Sequence, residues 1–266
     1  MSVEPDMNPA KNPGGCTLPE ELRRYYLDTM GIQLWEEISR EACEQTSEEV
    51  PEEVSEAMPT ERHGTAPAQT RAENTEPVRL STGETWTELE QAVRSCALCS
   101  LHASRTQSVL GAGNKSADLF IIGEAPGSEE DLQGEPFVGS AGQLLTAMLK
   151  AIDLNREDVY ITNILKCRPT NDRDPEPSEI LSCNPYLQRQ ISLIKPKVIF
   201  AVGRVAAQAL LNSTSSISSM RGKLHCYQGM PLIASYHPAY LLRKPSEKRK
   251  AWQDLLQLKK VMEECQ

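Results

Sequence analysis

The chain has 266 residues, enough for one ordinary domain plus an extension, and a net charge of −9. That total hides an asymmetry: residues 1–90 hold 20 acids and 7 bases, whereas the rest holds 17 acids and 21 bases, so a mildly basic body follows an acidic arm. No apolar stretch is long enough to form a bilayer-spanning helix and no signal-peptide core opens the chain, so we expect a soluble, intracellular protein.

In the arm, Leu18, Leu22, Tyr25, Tyr26 and Met30, then Leu34, Trp35 and Ile38, fall at helical spacing on either side of Gly31-Ile32. Residues 1–44 are therefore expected to form an extension of short helices. It is either a hairpin packed on the body or a docking peptide for a protein partner. Residues 45–83 are rich in Glu, Pro, Thr and Ser and poor in large apolar groups, so they cannot offset their ordering entropy and are expected to be a disordered linker. The folded domain is expected over 84–266. Trp86, Leu89 and Val93 mark one face of a helix leading into Cys96-Ala97-Leu98-Cys99.

Four short apolar runs, 118–123, 159–164, 198–202 and 232–235, read as strands, with helices near 140–152, 178–193, 203–212 and 246–264. Their alternation predicts an α/β fold: three α/β/α layers around a four-stranded, mainly parallel sheet. In such sheets ligands bind just beyond the carboxyl ends of strands. Four polar features lie there: the run from Gly123-Glu124-Ala125-Pro126-Gly127 to Gly142, Asn163, Gly203-Arg204, and His237-Pro238-Ala239-Tyr240-Leu241-Leu242-Arg243. The first, with five glycines, two prolines, a cluster of carboxylates and the lone Phe137, makes poor core but a good pocket wall.

Of eight cysteines, Cys96-x2-Cys99, Cys167 and Cys183 sit beside these motifs, while Cys16, Cys43, Cys226 and Cys265 match no ligand spacing and read as free thiols. Four thiolates suit either a zinc ion or an iron–sulfur cluster. Zinc ribbons usually use two close Cys pairs and this chain has one, so spacing alone favours iron only slightly.

The long glycine-rich run, Thr162-Asn163, the 237–243 heptad and the four spaced cysteines resemble family 4 uracil-DNA glycosylases, the iron–sulfur type, over residues 90 to 262. The resemblance implies a uracil-DNA glycosylase fold and hydrolysis of the N-glycosidic bond of uracil in single- and double-stranded DNA, leaving an abasic site. It implies a [4Fe–4S] cluster on Cys96, Cys99, Cys167 and Cys183 that staples residues 166–183 to the first helix. It also implies a uracil pocket of Gly123, Glu124, Ala125, Glu130, Phe137, Asn163 and His237. Phe137 would stack on the base, Asn163 would match the O4 acceptor and N3–H donor of uracil, and His237 would stabilise charge on O2. Glu124 would orient water or stabilise the sugar cation, and Glu130 would exclude the 5-methyl of thymine. Ala125 stands where some other uracil-glycosylase families place a catalytic Asp.

Arg204, Arg221 and Arg243 are expected to meet DNA phosphates, with Tyr240, Leu241 and Leu242 as a wedge that fills the gap left by a flipped base. With no Lys evident in the motif pocket, the enzyme is expected to be monofunctional, a monomer, and cytoplasmic at the bacterial nucleoid. Two alternatives stand beside this reading: a non-catalytic DNA-binding or polymerase-associated module of the same fold, and a relative that crosslinks to the abasic product. The latter carries a His-containing basic insertion after the third Cys region, and residues 168–182 contain no His.

Overall fold

The computed structural model describes residues 85–265. The expected helical pair and linker of the arm lie outside these residues. The described part begins with Thr85, which caps helix α1 (Trp86–Arg94) through a reciprocal box: Glu88 N–H donates to Thr85 Oγ1 and Thr85 N–H donates to Glu88 Oε2 at 2.6 Å.

Six strands form one sheet: β1 (Ala112–Gly113), β2 (Leu119–Gly123), β3 (Tyr160–Asn163), β4 (Val198–Val202), β5 (Leu224–Tyr227) and β6 (Met230–Ser235), in the order β1-β3-β2-β4-β6-β5. The four expected strands are its parallel centre, with Gly123 opposite Asn163, Ile122 opposite Ala201 and Ala201 opposite Ala234. Two antiparallel edge strands, β1 on β3 and β5 on β6, bring the total to six rather than four. Both carry little sequence signal. β1 is two residues long, and β5 is half-exposed and turns back through Gln228-Gly229, both at positive φ.

Successive residues of each central strand feed opposite faces of the sheet. Leu119, Ile121 and Phe200 pack with Leu145 and Met148 of α3 (Ser140–Lys150) and with Leu255 and Leu258 of the last helix, α8 (Lys248–Glu264). Phe120, Ile122 and Ile199 pack with Leu89 and Val93 of α1, Tyr186 and Leu187 of α4 (Pro177–Ile194) and Ala206 and Ala207 of α5 (Arg204–Leu211). Burying each such Leu or Ile side chain contributes about 1.5–3 kcal/mol. The three-layer architecture follows, because a sheet apolar on both faces needs helices on both. Three further short α-helices lie among the described residues: α2 (Ser128–Gln133), α6 (Ile217–Met220) and α7 (Pro238–Arg243), numbered in chain order. No helix among the described residues is long and apolar enough to cross a membrane.

Candidate active site

The carboxyl ends of β2, β3 and β6 open into a cleft of about 370 Å³, lined by Glu124, Phe137, Asn163, Asp174, His237 and Arg243 among others. The β2 and β3 ends stay zipped beyond the sheet: Ile164 N–H donates to Gly123 O at 2.9 Å and Leu165 N–H to Glu124 O at 3.1 Å. Glu124 and Asn163 are thereby fixed side by side.

Phe137 is buried and adopts φ 54°, a left-handed conformation that a bulky residue takes only under constraint. Several groups impose it. Val138 and Gly139 donate their N–H groups to Glu130 Oε1 at 2.9 and 3.1 Å, and Gly127 N–H donates to Glu130 Oε2 at 3.1 Å. Arg156 Nη2 donates to the Pro136 carbonyl. Close against it comes α3, where a Cβ on Gly142 would lie 1.7 Å from the Phe137 carbonyl oxygen. The glycine-rich run is thus a clamp that presents one aromatic ring.

Asn163 is 2% exposed, and its Oδ1 is a buried acceptor with no partner. Such an atom costs about 1–3 kcal/mol unless something donates to it. Gly123 makes room for it: a Cβ there would lie 2.4 Å from Asn163 Oδ1 and 2.6 Å from Phe137 Cζ.

His237 caps α7 by accepting the Ala239 N–H on Nδ1 at 3.2 Å. Burial, with the nearby Arg243 charge assisting, pushes its pKa down to about 4. The ring is therefore neutral near pH 7, and with Nδ1 used as an acceptor its proton is on Nε2. Its ring centroid is 5.6 Å from that of Phe137. Burial raises the Glu124 pKa above its ordinary value, with the Asp174 charge adding and Arg204 opposing. No Lys is among the residues that line this cleft.

The far wall comes from Pro169, Asp172, Arg173 and Asp174. These residues carry no strand or helix periodicity, and only the Pro- and Asn-rich composition of their segment marks them. Arg173 clamps the segment onto buried Glu179 at 2.6 Å, and Asp174 pairs with Arg204 at 2.5 Å.

The expected DNA-facing residues divide. Arg204, Arg243 and Leu242 are exposed at or near the cleft. Arg221 is not available: it forms a two-pronged pair with fully buried Asp254, at 3.0 and 2.7 Å, and Asp254 also accepts from Ser235 Oγ at 2.7 Å. Leu241 is 1% exposed and belongs to the core, since the heptad folds as a helix whose inner face packs down. Tyr240 is half-buried and stacks on Tyr236, with ring centroids 5.2 Å apart. Of the expected wedge, Leu242 alone points outward. Glu130 lines the cleft, with both carboxylate oxygens engaged by the clamp.

A second, much smaller cavity is lined by Cys96, Cys99, Cys167 and Cys183, together with Arg105, Lys166 and Tyr186. All four are free thiols. Arg105 Nη1 donates to Cys167 Sγ at 3.0 Å and Lys166 N–H to Cys183 Sγ at 3.3 Å, so two of the sulfurs already accept from N–H groups. Burial pushes the Cys183 thiol up to about 12. A thiolate there needs a positive partner, which a coordinated metal supplies. Among the described residues no three His, Cys, Asp or Glu are grouped closely enough to hold a single metal ion.

Residues 110–256 match the family model of the uracil DNA glycosylase superfamily. The chain is 45% identical over 190 residues to a type-4 uracil-DNA glycosylase of Archaeoglobus fulgidus, covering 68% of this chain and 94% of that one. It is 43% identical over 160 residues to a type-4 uracil-DNA glycosylase of Thermotoga maritima, covering 59% and 83%. A DNA polymerase of Bacillus phage SP01 is 31% identical over 150 residues, a match covering 56% of this chain and 16% of the polymerase. The cleft, with its clamped Phe137 and the unpartnered Asn163 Oδ1, lies within the matched region, and the chain belongs to the uracil-DNA glycosylase superfamily, among its type-4 members.

Proposed function

We propose that this protein is a monofunctional uracil-DNA glycosylase of base excision repair, hydrolysing the N-glycosidic bond of uracil in single- and double-stranded DNA. The observation that carries the reading is the unpaired Oδ1 of Asn163 beside the ring of Phe137. Chemistry on a base requires the nucleotide to leave the stack and enter a pocket. There Phe137 offers a face for stacking, worth about 1–3 kcal/mol. Asn163 Oδ1 accepts the N3–H of uracil while its NH₂ donates to O4, and cytosine presents the opposite pattern. A site built on that donor set leaves buried groups unpaired with the wrong base, which is the strongest form of discrimination.

As the glycosidic bond breaks, negative charge grows on O2, and a neutral Nε2–H of His237 supplies a fixed donor without carrying charge into the cleft. Removing one donor of this kind costs about 3–4 kcal/mol. Glu124 stabilises the positive sugar and orients the attacking water, helped by a carboxylate made more basic by burial. With no Lys in the cleft lining, water rather than an imine-forming amine attacks C1′. Arg204 and Arg243 meet phosphates and Leu242 enters the gap left by the flipped base.

Cys96, Cys99, Cys167 and Cys183 fit a [4Fe–4S] cluster: four sulfurs around one cavity, two of them with N–H donors. When bound, the cluster crosslinks the segment after α1, the segment after β3, and α4. We assign it a structural role. The protein is taken to act as a monomer on the genome in the cytoplasm, leaving its N-terminal extension for a protein partner.

The test is release of free uracil from a labelled single-stranded oligonucleotide, with alkali then breaking the strand. No release by iron-loaded protein overturns the reading. Iron and sulfide should be found in equal amounts, and zinc instead would overturn the cluster assignment.

A further inference from the structure

Between the cleft and the cysteine cavity lies a fully buried lysine. Lys166 is 1% exposed, three residues beyond Asn163 and directly before Cys167. Its side-chain nitrogen donates to the Asn163 backbone carbonyl at 2.6 Å and to Thr162 Oγ1 at 2.7 Å. Its backbone N–H donates to Cys183 Sγ at 3.3 Å, and its carbonyl accepts from Val109 N–H at 2.8 Å. The residue lines the cysteine cavity and does not line the cleft.

Burial lowers its pKa to about 7, and the side-chain nitrogen donates to both oxygens whether charged or neutral. The residue therefore has a partner on each side: its backbone N–H meets sulfur in one site, and its side chain holds the backbone of the base-reading Asn in the other. Its bonds to residues 162 and 163 fall at the last turn of β3, where the strand leaves the sheet and no further ladder fixes the chain beyond the Ile164 and Leu165 amides.

We propose that Lys166 is a positioning residue that couples the four-cysteine centre to base recognition, as a strut between that centre and Asn163. The proposal rests on the uracil-reading role given to Asn163 above. The cysteine centre holds the backbone of Lys166, through the Cys183 sulfur and the adjoining Cys167, and the side-chain nitrogen holds the Asn163 carbonyl, which sets where the amide side chain sits relative to Phe137. Loss of the centre frees the backbone end and loosens the strut, although no cysteine touches the base.

Wild-type protein, Lys166→Met and Lys166→Arg, each purified with the centre intact by iron content and visible absorption, are compared for uracil affinity by calorimetry, for KM and kcat on a uracil oligonucleotide, and for amide hydrogen exchange over 160–166. With full iron content, Lys166→Met should raise KM and weaken uracil binding about tenfold, speed exchange over 160–164, and leave kcat changed less than KM; Lys166→Arg should restore part of the affinity. Wild-type affinity and exchange in iron-loaded Lys166→Met overturn the strut. Should that variant fail to fold, chelating the iron from wild-type protein gives the same comparison: faster exchange at Tyr160–Asn163 with weaker uracil binding supports the coupling, and unchanged exchange overturns it. If wild-type protein binds and releases no uracil, the base-reading role fails, whereas the exchange measurement still decides whether the strut exists.

Discussion

Gly123→Ala adds one methyl group and removes no group from the site, so its effect isolates placement from chemistry. The new Cβ would lie 2.4 Å from Asn163 Oδ1 and 2.6 and 2.8 Å from two carbons of the Phe137 ring. Ordinary contacts are about 3.5–4.0 Å, so each neighbour must retreat by about 1 Å. The backbone cannot yield instead, because Gly123 pairs with Asn163 in the sheet and its carbonyl accepts the Ile164 N–H. Overpacking of this kind costs about 1–3 kcal/mol of stability, and a 1 Å misplacement of positioning groups costs about 10²-fold in rate. The assay is single-turnover uracil release alongside a thermal melt. We expect kcat/KM to fall about 10²-fold while the protein stays folded at 25 °C. Wild-type kcat/KM in a folded Gly123→Ala protein would refute the claim that Gly123 shapes the seat of the base.

His237→Ala should lower kcat about 10²–10³-fold with little change in KM, as read in steady-state kinetics, if the imidazole acts mainly in the transition state. Because the folded pKa of His237 is about 4, below the 6.5 of a free imidazole, the unfolded chain takes up the proton first as pH falls. This residue's contribution to stability is therefore full above about pH 6.5 and is lost progressively down to about pH 4, a trend that wild-type and His237→Ala melts across that range will resolve. It gives no inflection in rate between about pH 5 and 9; the acid limb of kcat should instead belong to Glu124, lie above 4.5, and vanish in Glu124→Gln. Arg221→Ala breaks a buried pair and should cost about 3–5 kcal/mol in denaturant unfolding. It should leave the salt dependence of DNA binding unchanged, whereas Arg243→Ala should reduce that slope by about one phosphate contact. Glu130→Ala leaves three N–H groups unpaired and should destabilise by about 2–4 kcal/mol, with activity on uracil reduced by loss of the Phe137 clamp.

The central strands were legible because each is a short apolar run bounded by turn residues; 198–202 matches Val198–Val202 residue for residue. The edge strands were not, since β1 is two residues long and β5 buries little. Within the site, the residues at strand ends could be read from the sequence: Glu124, Asn163 and His237 follow apolar runs directly. The wall of Asp172, Arg173 and Asp174 could not, because its position depends on Arg173 reaching Glu179 and on Asp174 reaching Arg204, contacts between residues with no periodic pattern. Arg221 and Leu241 misled for a related reason. A basic or apolar residue in a loop looks exposed in sequence, and only the partners decide: Asp254, 33 residues further on, takes the charge of Arg221, and the helical turn of 238–243 buries Leu241 while exposing Leu242. Lys166 shows the same limit, since nothing in its neighbourhood in sequence says that its side-chain nitrogen turns back onto Asn163.

A crystal structure of the iron-loaded protein with free uracil bound tests the central claim most directly. We predict the uracil ring against the face of Phe137, with N3–H donating to Asn163 Oδ1 and O2 accepting from His237 Nε2. Uracil bound elsewhere, or Asn163 Oδ1 paired with a protein group while uracil occupies the cleft, would contradict it.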